Sequence, residues 1–180
     1  MNALLVILFA ALFPITHIAN GWIFKFAEIS PHISLIYLPA FLRLANVLIL
    51  GPRNGTLATL LGSLLLIQTF NDHPVVSMLN IVCSASGPLV ALYIFKIYTH
   101  RHFELTSLKD LSALTLMYAI VNAVIYHLVW SIFDPSQLAI PIQVLWMVLG
   151  DIFGALLGAY AMKWFISEFR RRKIVKDSLD

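Results

Sequence analysis

The chain has 180 residues, of which 60% are hydrophobic and only 12% charged, with a mean hydropathy of +0.87. A water-soluble domain carries about 25% charged residues and cannot hide this much apolar surface, so composition excludes a soluble fold and makes the bilayer the solvent. A net charge of +3 and a pI near 9.1 do not indicate a nucleic-acid partner. The basic residues gather at segment ends and in the run Arg170–Lys173, the pattern of topology signals and membrane lipid headgroup contacts.

Apolar runs fall at 3–24, 33–50, 55–70, 75–97, 108–132 and 138–167. They predict an all-α polytopic membrane protein, a bundle of about six transmembrane helices forming one domain over residues 1–168, with a basic cytoplasmic tail at 169–180. The first run opens MNALLVILFAALF, which lacks the positive n-region of a cleaved signal peptide and is expected to be a retained span. The second contains Pro39, which is expected to kink it or free a backbone carbonyl, and it carries Arg43. After the turn Gly51-Pro52-Arg53-Asn54-Gly55 the third run is short, about 24 Å of helix, so its full crossing is in question. The fourth holds Asn80, Ser84 and the lone cysteine, Cys83, which reads as a small buried packing residue with no disulfide partner.

Ser107 followed by Asp110 looks like a capping box opening the fifth helix, which then carries a polar stripe of Asn122, Tyr126 and His127. The sixth run displays Gly150, Gly154 and Gly158, a doubled small-xxx-small pattern that invites close helix packing. A homo-oligomer contact through this glycine seam is the rival use. Asp151 sits at the edge of the row. Charge in the gaps orients the chain: Arg53, Lys96, Arg101, Lys109 and the tail lie on one side, and Lys25 with Glu28, then Asp72, then Asp134, on the other. The positive-inside rule places both termini in the cytoplasm.

Arg43 and Asp151 are the most informative residues. A charge at the centre of a spanning helix costs roughly 2.5–3.5 kcal/mol even on the mildest scale, so such residues pair, face a cavity or work. The candidates for a ligand site or an ion pair are Arg43, Asn46, Asn122, Tyr126, His127 and Asp151. An ion pair between Arg43 and Asp151 at the rim of a polar pocket is expected; a purely structural pair, or Arg43 reaching an interface, are the alternatives. His17 resembles His127 but lies nearer the outer surface. The histidine spacing suggests no metal site, and no phosphate loop, dinucleotide fingerprint or nucleophile elbow occurs. No catalytic residue, metal or cofactor is therefore expected, nor an enzyme.

The run ISPHISLIYLPAFLRLANVLILGPRNGTLATLLGSLL, followed later by VLGDIFGALLGAY, resembles the integral membrane-associated sensor domain of bacterial signalling proteins, first class. The shared features are a Pro-containing second span, a Gly-Pro-Arg turn after it and a late Gly-Asp-x-x-Gly segment, carried by Pro39, Gly51, Arg53, Gly62, Gly150, Asp151 and Gly154. Family members usually have more spans and lead into a histidine kinase, diguanylate cyclase or phosphodiesterase, and Arg43 departs from their pattern. The resemblance implies a stand-alone sensor-like or ligand- or partner-binding module of the bacterial inner membrane, acting on a separate membrane or cytoplasmic signalling partner. Length and midplane polar groups also fit the substrate-binding component of a vitamin-type uptake system or a small transporter. An accessory subunit of a larger membrane complex is the third expectation.

Overall fold

The computed structural model describes residues 3–30, 32–67, 74–99, 107–133 and 141–177, with backbone alone at 166 and 169–177. In chain order the helices are α1 (Ala3–Ile23), α2 (Pro39–Leu50), α3 (Pro52–Leu64), α4 (Pro74–Thr99), α5 (Leu108–Phe133) and α6 (Pro141–Asp177). Between α1 and α2 lie a single 3₁₀ turn, Lys25–Ala27, and a small antiparallel ladder of β1 (Glu28–Ser30) with β2 (Ile33–Ser34). Among the described residues four segments are long and apolar enough to cross a membrane: Ala3–Ile23, Pro74–Thr99, Leu108–Phe133 and Pro141–Phe165. They are compatible with a multi-pass membrane protein. Ile7, Leu8, Val82, Leu128 and Phe153 are exposed on their outer faces, as lipid contact requires.

Six α-helices stand among the described residues, as expected, but the second and third are shorter than their apolar runs. The α2 and α3 helices have 12 and 13 residues, about 18 and 20 Å, against a hydrocarbon core of about 30 Å. Proline placement explains the shortening. Pro39 does not kink a longer helix but opens α2, in the first turn, where its missing N–H costs nothing. Residues 33–38 stay outside the helix. Pro52 opens α3 in the same way, and Gly51, the single residue between the two helices, takes φ +80°, which a residue with a Cβ rarely adopts. The chain therefore reverses, and α2 packs along α3 so closely that a Cβ on Gly55 would strike the Asn46 carbonyl.

Other expectations hold locally. The Ser107 hydroxyl accepts from the Asp110 backbone N–H at 3.3 Å, which is the expected cap of α5. Cys83 is a buried free thiol. The α6 backbone continues as helix through the basic segment after residue 168, as far as Asp177. Gln68, the turns at 71–73 and 134–135, and the loop residues His100, Arg101 and His102 lie outside the described residues, as do the side chains of Arg170–Lys173.

The α2 helix is the hub. Nine of its twelve residues are buried, and it contacts α1, α3, α4 and α6. Ala40 and Leu44 of α2 pack with Ala91 and Phe95 of α4 and Leu114 and Tyr118 of α5. Against α6 the packing is tighter. A Cβ on Gly150 would collide with the Ser34 carbonyl oxygen, one on Gly154 with that of Tyr37, and one on Gly158 with the Phe41 ring. The glycine row thus seats the chain's own segment 34–41, much of it extended backbone rather than a helix, and leaves no space on that row for a second copy. The row therefore serves packing within the chain, the first of the two uses the sequence suggests.

This contact gives a stability test. Gly154→Leu should lower the apparent Tm in mild detergent by several degrees or prevent accumulation, because overpacking typically costs about 1–3 kcal/mol and backbone cannot move aside cheaply. Gly21→Ala, where nothing lies within 4 Å of an added Cβ, should leave the Tm unchanged. Equal effects of the two substitutions would refute the seating role.

Candidate functional site

Arg43 lies one turn into α2, at a depth fixed by the helix start at Pro39, and is only 4% exposed. Its Nη2 donates to the Tyr37 hydroxyl at 3.1 Å and to the Tyr126 hydroxyl at 3.2 Å. The guanidinium carbon stands 5.0 Å from the Tyr37 ring centroid and 5.6 Å from those of Phe13 and Tyr126, within the range of cation–π attraction. Oxygen lone pairs and ring faces thus replace part of the water that burial removes.

Each of these partners is itself held. Tyr37 belongs to the extended segment on α6, where its backbone N–H donates to the Gly150 carbonyl at 3.1 Å. Its hydroxyl also lies 3.3 Å from His17 Nδ1 of α1. Tyr126 of α5 donates onward to the Asn80 carbonyl of α4 at 3.0 Å, and Trp130 Nε1 donates to Asn80 Oδ1 at 2.8 Å. One polar network therefore links α1, α2, α4 and α5 through Arg43. It leaves the guanidinium incompletely used, because Nε and Nη1 have no hydrogen-bond partner. The Tyr118 hydroxyl also lies against the guanidinium, within hydrogen-bonding reach but outside good hydrogen-bond geometry.

Asp151 follows Gly150 on α6 and is 1% exposed. Its Oδ2 accepts from Asn122 Nδ2 at 2.6 Å, a short bond that joins α5 to α6. Among the described residues no ion pair joins it to Arg43, so the expected pair is corrected. Phenols occupy the Arg43 Nη2 and an amide holds one Asp151 oxygen. Both residues line a cavity of about 610 Å³. The exposed Lys25 and Glu28 mark its mouth, and Phe13, Tyr126, Trp130 and Met147 are among its walls. A cavity of this size, largely apolar with a few convergent polar groups, has the usual character of a small-molecule site.

The structure divides the sequence-derived candidates. Arg43, Tyr126 and Asp151 converge on the cavity, and Asn122 stands behind Asp151 as its hydrogen-bond donor. Asn46 does not join them. Its Nδ2 donates to Thr59 Oγ1 at 3.0 Å, and Thr59 donates to the Gly55 carbonyl at 3.0 Å, so Asn46 fastens α2 to α3. His127 is buried with its ring edge-on to Trp130 at 5.2 Å and does not line the cavity. Gly150, Gly154 and Gly158 position the site without lining it.

Sequence reasoning passed over Tyr37, Phe13, Trp130 and Asn20. Asn20 of α1 accepts the Leu38 backbone N–H at 2.8 Å and so secures the residue before Pro39. The only signal was their type, aromatic or amide side chains within apolar runs, which are common in membrane proteins.

No family model, curated protein or solved structure matches the chain.

The Asn122–Asp151 bond can be measured directly. Asn122→Leu should destabilise the protein by about 1–3 kcal/mol, because it strands a buried carboxyl oxygen. The double variant Asn122→Leu/Asp151→Leu should recover much of that loss, giving a coupling of about 1 kcal/mol or more in a double-mutant cycle. Simple additivity of the two single effects would show that the bond does not hold α5 to α6.

Proposed function

We propose that the protein is a multi-pass protein of the bacterial cytoplasmic membrane that binds a small ligand in the cavity between Arg43 and Asp151. It would act as a sensor-like or partner-binding membrane module without a catalytic output of its own. The observation that carries this reading is the cavity itself, with two buried opposite charges on its walls that do not close on each other. A structural staple needs contact between its charges and needs no space between them.

Topology supports a ligand arriving from outside the cell. The α2–α3 hairpin returns to the side from which it started, whether or not its tip reaches the far surface. Four crossings then leave both termini on one side, together with Arg53 at the hairpin tip, Lys96 and Lys109. The positive-inside rule assigns that side to the cytoplasm, and Lys25 and Glu28 at the cavity mouth to the outside. Signal transfer has a path in α6, one helix of 37 residues and about 55 Å that carries Asp151 and the glycine row and continues beyond the bilayer thickness. A cytoplasmic partner would read its basic end.

A second reading, the substrate-binding component of a vitamin-type uptake system or a small transporter, is favoured by the short α2–α3 hairpin. Interrupted helices around a midplane site are a recurrent transporter device. An accessory subunit has less support, because the chain fills its own glycine seam.

Purification in a maltoside detergent, followed by denaturation and mass spectrometry of the extract, tests the proposal. A small molecule should be released in near-equimolar amount, and its return to stripped protein should raise the Tm saturably. Recovery of a stoichiometric membrane protein instead, with no small molecule, would overturn the binding role in favour of assembly. Accumulation of the recovered molecule by proteoliposomes would favour transport over sensing.

A further inference from the structure

The walls of the cavity also constrain what can fill it. Arg43 is only 4% exposed and lines the cavity, and its enclosed Nε and Nη1 have no hydrogen-bond acceptor among the described residues. An anionic oxygen is the natural acceptor for these donors, since charge-assisted hydrogen bonds to a guanidinium are among the strongest available. Asp151 lines the same cavity, and among the described residues Asn122 is its only hydrogen-bond donor, engaging Oδ2. A carboxylate accepts through two oxygens with about four lone-pair sites, so it can take a further donor or cation. The rest of the lining combines apolar and aromatic residues, Phe13, Trp130 and Met147 among them, with polar ones such as His17, Asn20 and Ser84. A simple anion would satisfy Arg43 but meet repulsion from Asp151, and a simple cation would meet the reverse.

We infer that the cavity recognises a zwitterion, presenting a carboxylate or phosphate to Arg43 and an ammonium group to Asp151 with an apolar body along the aromatic wall. The inference rests on the binding role proposed above and names its ligand chemistry. Two sources supply that chemistry: a free neutral amino acid, and the headgroup of an ethanolamine phospholipid. The cavity's size of about 610 Å³ exceeds the needs of a small amino acid and accommodates a large one or a headgroup.

The test uses the full chain in maltoside detergent and reads thermal stabilisation and affinity. The probes are the neutral amino acids, dihexanoylphosphatidylethanolamine, the amino acid methyl esters, which lack the anion, and 3-phenylpropanoate, which lacks the ammonium. A saturable response to one or more amino acids, with weaker response to the ester and to the ammonium-free acid, supports the free-zwitterion source. A response to the ethanolamine lipid alone supports the headgroup source.

Arg43→Gln should weaken binding of the responding probe roughly tenfold or more and abolish its preference over the ester. Asp151→Asn should abolish the preference over 3-phenylpropanoate. Should Arg43→Gln fail to fold, Arg43→Lys keeps the charge but removes the planar donor set, and it should still weaken binding. Equal responses to the zwitterion and to its one-charge analogues, or no response to any probe, would overturn the inference. If a ligand of other chemistry is nonetheless recovered in the extract described above, the binding role stands and only the zwitterion assignment falls. If the extract also yields nothing, both fall.

Discussion

The guanidinium of Arg43 sets the conditions for the rest of the molecule. An ion taken out of water into a low-dielectric interior suffers a penalty of several kcal/mol even after relaxation, so the fold must resolvate it. The protein does this with two phenol oxygens and three ring faces rather than with the nearest carboxylate. The phenols come from opposite sides of the bundle, and each needs an anchor of its own: His17 beside Tyr37, and Asn80 with Trp130 behind Tyr126. Solvating one charge therefore ties α1, α4 and α5 to α2. The tie is polar and directional, which specifies a register that apolar helix packing alone would leave loose.

Tyr37 can serve Arg43 only because the chain before α2 is extended. Non-helical backbone at membrane depth is tolerated where protein covers it and satisfies its hydrogen bonds. Here the Leu35 N–H reaches the Ala27 carbonyl at 2.9 Å, that of Tyr37 the Gly150 carbonyl, and that of Leu38 the Asn20 side chain. The glycine row of α6 supplies the cover, since any Cβ at Gly150 or Gly154 would displace this segment. The same row begins one residue before Asp151. Seating the extended segment and placing the carboxylate are thus consequences of one stretch of α6, and a shift of that helix would move both walls of the cavity together.

Much of this was legible in the sequence, and the remainder was hidden for physical reasons. Arg43 and Asp151 announce themselves because charge is rare in apolar runs, and the glycine period announces a close approach. Neither signal says what approaches: the seam takes extended chain, not a helix. Pro39 had two structural outcomes, a kink or a start, and the choice depends on whether residues 33–38 find hydrogen-bond partners elsewhere, which is tertiary information. Spacing placed Asn46 beside Arg43 on one helix face. That rule presumes a single buried face, whereas α2 is enclosed on nearly all sides, so Arg43 meets the cavity and Asn46 meets α3. Tyr37 and Trp130 carry no local signal at all, because aromatic residues near membrane interfaces are ordinary and only the fold aims their polar tips inward.

The separation of Arg43 from Asp151 links these observations to function. Interiors are close-packed, and voids are few because their linings lose contacts and their polar groups lose partners. A buried donor left unsatisfied costs about 1–3 kcal/mol. A sequence selected for packing alone would gain by closing the cavity, letting the two charges meet or replacing both with apolar side chains of similar volume. Arg43 is instead braced by Tyr37 and Tyr126, and Asp151 by Asn122. Bracing polar groups around a cavity at a cost in stability is what preorganised binding sites do. On the binding role proposed above, the burial of the charges and the persistence of the cavity would share one cause, a ligand that completes the hydrogen bonding of both.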